Sequence, residues 1–159
     1  MTLEERRRYL ISSQKKKNWF DFSKVTGAVN RYYTEVPKSS AWVEGDKLIM
    51  NVGVYNVGLF IYDSTTVLPK GEYILSYTVY APISEQVVMT ISKKSDDLIN
   101  TRIKLVYTTA ELNGYKNLEL PFSIDEETTI VVGLQGVGNA SNWNKLKMEF
   151  TNIRIEKVG

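Results

Sequence analysis

The sequence predicts an all-β fold, an antiparallel β-sandwich of jelly-roll type with one short α-helix at its N-terminus. Three observations carry the prediction. From Asn18 onward, apolar residues recur at alternate positions in roughly eight to ten short runs. Gly, Pro, Asn and Asp punctuate those runs at roughly ten-residue spacing. Helical signals are confined to residues 1–17. Two packed sheets suit this pattern best, with a closed barrel as the alternative.

The helix comes first along the chain. Thr2-Leu3-Glu4-Glu5 is a capping-box pattern, in which the Thr2 hydroxyl and the Glu5 carboxylate each satisfy the other's backbone N–H. A helix over residues 3–15 is predicted, acidic in its first turn and basic in its last, matching the helix dipole. Leu3, Leu10 and Ile11 form a thin apolar stripe beside Tyr9. A helix this short is marginal alone in water. Leu3, Arg6, Arg7, Leu10 and Ile11 are therefore candidate docking or oligomerisation contacts, the plain alternative being a solvated arm. The triplets Arg6-Arg7-Arg8 and Lys15-Lys16-Lys17 are short for a nucleic-acid patch and lack interleaved aromatics. Neither nucleic acid nor membrane insertion is expected.

The strands follow in order. Lys47-Leu48-Ile49-Met50-Asn51-Val52 lies between Gly45-Asp46 and Gly53, and residues 57–62 form another run. Over 72–80, Tyr73, Leu75, Tyr77 and Val79 share one face while Ile74, Ser76, Thr78 and Tyr80 share the other. A Pro69-Lys70-Gly71 turn precedes this strand and Ala81-Pro82 stops it. Residues 86–92, 102–108 and 117–124 alternate likewise, and Pro121 places the last of these on an edge or at a bulge. Residues 128–134 are almost continuously apolar and β-branched, as in a strand buried on both sides. In the final run, 145–157, parity slips between Phe150 and Ile153, predicting a β-bulge near Thr151-Asn152.

Composition narrows the chemistry. The chain has 159 residues, 43 % hydrophobic and 24 % charged, with neither Cys nor His. Disulfides, thiolate nucleophiles, Cys/His zinc sites and imidazole acid–base catalysis are excluded. The basic start of the chain has no apolar h-region, so no secretory signal is expected, and no apolar run is long enough to cross a membrane as a helix. Residues 1–17 hold six basic and two acidic side chains, net +4, whereas the other 142 hold 14 basic and 16 acidic, net −2. That asymmetry divides the chain into a docking arm, 1–17, and a sandwich domain, 18–159.

Several phrases resemble a known family. Asn18-Trp19-Phe20-Asp21-Phe22-Ser23-Lys24-Val25-Thr26 is similar to the opening of many phage tail and baseplate modules. Leu68-Pro69-Lys70-Gly71-Glu72-Tyr73-Ile74-Leu75-Ser76-Tyr77 resembles one of their strands, and Phe150-Thr151-Asn152-Ile153-Arg154-Ile155-Glu156 their close. Pro121-Phe122-Ser123-Ile124, with residues 129–134, fits their penultimate pair. The family is the carbohydrate-binding-module-like jelly roll, found in phage tails and baseplates and appended to bacterial glycosidases. The resemblance implies the sandwich fold and, at its aromatic surfaces, binding of sugar. Relatives often carry an Asp where this chain has Thr151, and some hold a calcium nearby. A hydroxyl is a poor substitute for a carboxylate on that cation, so no metal and no cofactor are expected, although Asp21 and Glu149 offer oxygens.

Sugar sites pair an aromatic face with flanking amides and carboxylates. The segment Gly136-Val137-Gly138-Asn139-Ala140-Ser141-Asn142-Trp143-Asn144 sets one Trp among polar residues, making Trp143, Asn139, Asn142 and Asn144 candidates. The competing reading folds Trp143 back over a sheet edge. Trp42 reads as core or as site, and Tyr55, Asn56 and Tyr62 could line the same groove. Tyr77 reads as core, and Trp19 and Phe20 as structural pins. Acidic residues fall mainly in turns such as Asp125-Glu126-Glu127, so no catalytic carboxylate pair is expected. Gly136-Val137-Gly138 is no phosphate loop, because no helix follows it.

The expectation is a non-enzymatic phage virion component, in a tail, baseplate or surface decoration. It would be assembled in the host cytoplasm, docked by its helix onto other virion proteins or itself as a homo-oligomer, and able to adhere to host-surface carbohydrate. The alternatives are a carbohydrate-binding module of a polysaccharide-degrading enzyme and an assembly protein that binds no sugar.

Overall fold

A computed structural model describes residues 2–14, 17–30, 32–35, 41–52, 60–61, 66–81, 86–107, 114–137 and 146–159. Helix α1 is Leu3–Gln14, and a single 3-10 turn spans Phe22–Lys24. Strands follow as β1 (Ala28–Val29), β2 (Ala41–Glu44), β3 (Lys47–Val52), β4 (Phe60–Ile61), β5 (Val67–Leu68) and β6 (Gly71–Ala81). Then come β7 (Gln86–Lys93), β8 (Arg102–Tyr107), β9 (Gly114–Ile124), β10 (Thr128–Val137) and β11 (Leu146–Lys157). They form two antiparallel sheets, a front sheet in the order β2-β3-β11-β6-β9 and a back sheet in the order β1-β4-β10-β7-β8, with β5 also pairing β10. This is the predicted sandwich with its N-terminal helix. The described strands exceed the expected number because β1 and β5 have two residues each, too few to show a period, whereas β4 falls within the predicted run 57–62.

Alternation builds the core. Met50, Leu75, Tyr77, Leu120 and Phe150 of the front sheet meet Met89, Ile91, Val132 and Leu134 of the back sheet in one buried cluster. Strand β10 is central, and Ile130, Val131, Val132 and Leu134 are all buried, as its unbroken apolar run predicts. Pro121 lies in β9, an edge strand, where one missing N–H costs no ladder bond on the open side.

The three family-like phrases meet at one corner. Register breaks in β11 between Thr151 and Arg154, with Asn152 at φ +53, a left-handed conformation that Asn tolerates. The bulge returns Ile153 and Ile155 to the core. Asn18 fills the gap. Its Oδ1 accepts from the N–H groups of Phe20 and Ile155, both at 3.0 Å, and its Nδ2 donates to the Ile153 carbonyl at 3.3 Å. Trp19 donates its N–H to the Ile155 carbonyl at 2.8 Å. Next to it, the Tyr73 hydroxyl donates to the Pro69 carbonyl at 2.6 Å, closing the Pro-Lys-Gly turn. The Tyr73 ring stacks on Phe122 with centroids 5.6 Å apart and meets Trp19 edge-on at 6.3 Å. Gly71 is required by close approach, since a Cβ there would stand 2.6 Å from Lys157 Cε and 2.9 Å from the Gly159 carbonyl oxygen.

The capping box forms, with Thr2 N to Glu5 Oε2 and Glu5 N to Thr2 Oγ1 both at 3.1 Å. The described helix runs Leu3–Gln14, within the predicted span, and Lys15, where that span ends, lies outside the described residues. The Arg triplet sits mid-helix, where Arg8 pairs with Glu4 at 3.0 Å, and the acidic first turn complements the dipole.

Candidate functional site

Each sheet has one face toward the core and one away from it, and the two outer faces are built differently. The back sheet's outer face is covered by the chain itself. Val29, Phe60, Leu98 and Val131 form a second apolar cluster there, with Tyr33 packed against it. Leu98 is delivered by the turn after β7, which Asp97 organises by accepting from the N–H groups of Ile99 and Asn100 at 3.1 and 3.2 Å. The buried Ser92 hydroxyl then donates to the Leu98 carbonyl at 2.6 Å. Phe60 lies over Gly133, where a Cβ would come within 2.8 Å of the ring.

The front sheet's outer face carries a row that crosses all five strands. Register partners link Trp42 of β2 to Ile49 of β3, Ile49 to Glu149 of β11, Glu149 to Tyr80 of β6, and Tyr80 to Tyr115 of β9. The opposite parity, with Ala41, Met50, Met148, Phe150 and Val79, belongs to the core. Four inter-strand steps of about 4.8 Å give this row a length of about 19 Å. Ile49, 3 % exposed, is its apolar floor. Trp42 is half-buried, and its Nε1 donates to Glu44 Oε2 at 3.3 Å. At the other end Tyr115 is 74 % exposed, and its ring lies 4.7 Å from that of Tyr80.

Polar groups flank the row. Lys47 Nζ stands 3.6 Å from Glu149 Oε2, the two side chains partly exposed. Thr78 Oγ1 donates to Asn117 Oδ1 at 2.7 Å, which turns the Asn117 NH2 group outward as a donor. The face thus offers aromatic surface at both edges, carboxylate acceptors, and ammonium and amide donors. That set suits a hydroxyl-rich ligand with apolar C–H faces. Among the described residues, no group of three or more metal-ligating side chains occurs and no helix is long and apolar enough to cross a membrane.

The structure places Trp42 on this outer face, not in the core. Trp143, Asn139, Asn142, Asn144, Tyr55, Asn56 and Tyr62 lie outside the described residues. Val52, which ends β3, is the register partner of Leu146, which begins β11. Leu3, Arg6 and Arg7 are exposed on α1, while Leu10 and Ile11 belong to the helix with side chains outside the described set. Sequence reasoning missed Tyr80, Tyr115, Lys47 and Asn117. Their signal was an outward-parity Tyr, Lys or amide in strands otherwise alternating cleanly, but only the pairing register brings them together.

Tyr77 is core, as its alternation predicts. It meets Phe150 edge-on at 5.6 Å, and burial pushes its hydroxyl far above the usual tyrosine range. That hydroxyl has no hydrogen-bond partner among the described residues.

No protein-family model matches the sequence, and no curated protein matches it. Solved structures do share the fold. The CBM22-1 xylan-binding domain of Paenibacillus barcinonensis Xyn10C aligns with a TM-score of 0.53 at 13 % identity, over 90 % of this chain and 96 % of that one. Module CBM1 of BiXyn10A, in its apo form, gives 0.53 at 14 % identity over 87 % and 96 %. A family 4 carbohydrate-binding module gives 0.51 at 11 % identity over 76 % of each chain. At these identities the likeness establishes architecture: the chain has the jelly-roll fold of carbohydrate-binding modules.

Proposed function

We propose that this chain is a glycan-binding module that holds a polysaccharide across the outer face of its front sheet and performs no chemistry on it. The observation that carries the reading is the row Trp42–Ile49–Glu149–Tyr80–Tyr115, exposed at Tyr115 and half-exposed at Trp42, Glu149 and Tyr80, on a fold that covers its other outer face. Trp42 and Tyr115 stack on sugar rings, Ile49 and Tyr80 exclude water beneath, and Glu149, Glu44, Lys47 and Asn117 exchange hydrogen bonds with hydroxyls. The row's length fits several consecutive rings of a chain better than one sugar. The xylan-binding neighbour supports xylan as the first ligand to try. Trp143 with Asn139, Asn142 and Asn144, and Tyr55 with Asn56, would extend the surface from connections that join the sheet side by side. Tyr62 is the candidate furthest from this argument.

The phrase resemblance supports a setting in a phage particle, in which the N-terminal helix would dock the module and its front face would adhere to host-surface glycan. The fold accommodates equally a module of a polysaccharide-degrading enzyme. Electrophoresis through gels containing xylan or mixed-linkage β-glucan tests the binding. The expected result is retardation in at least one of them, reduced roughly tenfold in affinity by Trp42→Ala or Tyr115→Ala. Retardation by neither polymer, or retardation unchanged in both variants, removes this face from the reading.

A further inference from the structure

Beyond the glycan reading, and independent of it, the lower half of the same outer face carries a second pattern. Past the bulge, Glu156 of β11 stands opposite Ile74 of β6, which stands opposite Pro121 of β9. The neighbouring rows are Arg154–Ser76–Glu119 on one side and Glu72–Ser123 on the other. The result is an apolar centre, Ile74 and Pro121, ringed by three carboxylates and one guanidinium; Arg154 pairs with Glu156 at 2.9 Å and Ser123 donates to Glu72, and the patch stays net negative. Glu119 forms no ion pair among the described residues.

Helix α1 presents the complementary pattern. Leu3, Arg6 and Arg7 are spaced i, i+3 and i+4 and so share one face. Both acidic residues of the helix are already engaged, Glu4 by Arg8 at 3.0 Å and Glu5 by the Thr2 N–H at 3.1 Å. Arg6 and Arg7 form no ion pair among the described residues, and Leu3 is 78 % exposed. Within one chain, residues 2–8 are all exposed, so the molecule leaves this stripe uncovered. The patch crosses three strands, β11, β6 and β9, about 10 Å, which the first two turns of α1 match in length.

We propose that α1 of one copy docks on the acidic patch Glu72–Glu119–Glu156 of a second copy, with Leu3 against Ile74 and Pro121 and with Arg6 and Arg7 among the carboxylates. The contact joins residues of two different regions, so it can be exchanged reciprocally about a two-fold axis.

Sedimentation velocity on the full chain tests it. Wild type is expected to self-associate at low ionic strength and to weaken as salt rises. Arg6→Glu/Arg7→Glu and Glu72→Lys/Glu119→Lys should each weaken association by about tenfold or more, and an equimolar mixture of the two should restore it. Leu3→Ala should weaken it without changing charge. If a charge-reversed chain loses its far-UV spectrum, Arg6→Gln/Arg7→Gln and Glu119→Gln take its place. A wild type that stays monomeric at low salt overturns the proposal, helix docking on its own body included. So does association indifferent to both sets of variants, or a mixture that fails to re-associate. None of these readouts involves sugar, so failure here leaves the glycan reading standing.

Discussion

The two outer faces of this sandwich start from the same strand alternation and end differently. On the back, small residues open space, Gly133 under Phe60, and the turn after β7 drops Leu98 into a closed apolar cluster. On the front, Trp42, Tyr80 and Tyr115 stand in a row with carboxylates and a lysine, and Tyr115 is left 74 % exposed. The fold covers one face with its own turns, yet on the other it leaves Tyr115 exposed and Trp42 and Tyr80 only half-buried, and that contrast supports reading the front face as a binding surface. The back face serves stability, and the front face is the one proposed for recognition.

Substitutions can break or sharpen that contrast. The largest effect is expected from Leu98→Ala, which empties the back cluster and should cost about 2–5 kcal/mol in urea unfolding. Sugar affinity well below the melting temperature should not change. A parallel loss of binding would mean that the two faces are not separate in function. Asn18→Ala removes the three hydrogen bonds that fill the β11 bulge and should cost about 1–3 kcal/mol, read as a lowered urea midpoint at constant slope. Tyr115→Ala should invert the pattern, moving stability by no more than about 0.5 kcal/mol while glycan affinity falls roughly tenfold. A stability loss comparable to that of Leu98→Ala would reassign Tyr115 to the fold. The smallest effect belongs to the interior between the faces. Tyr77→Phe removes a buried hydroxyl without a described partner and should raise stability by up to about 1 kcal/mol; a loss instead would point to a bond made by that hydroxyl.

The sandwich was legible because its signals are local. Alternation in 72–80, the edge role of Pro121 and the slip between Phe150 and Ile153 each depend on neighbours in sequence, and each predicted feature is present. The capping box was legible for the same reason, since Thr2 and Glu5 are neighbours in sequence, and the described helix lies within the predicted span. The site was less legible. Trp42 and Tyr115 are 73 positions apart, and what joins them is the register of four strand pairings, a non-local property that no single run encodes. Sequence reasoning favoured polar connections for the aromatic surface, whereas the described aromatics lie on strands. Trp42 was ambiguous because Ala41 and Val43 beside it are core-facing, and only parity separates them.

The place of β11 has a consequence for how the chain is made. It is synthesised after β2, β3, β6 and β9, yet it lies between β3 and β6 and forms the join between two otherwise separate pairs. Before it leaves the ribosome, the β2–β3 hairpin and the β6–β9 pair each present a bare ladder where β11 will fit, and Asn18 has no bulge to fill. Folding of the front sheet is therefore held back until translation of this domain is nearly complete. A nascent chain halted before Leu146 carries two sticky strand edges and is the form most prone to aggregate.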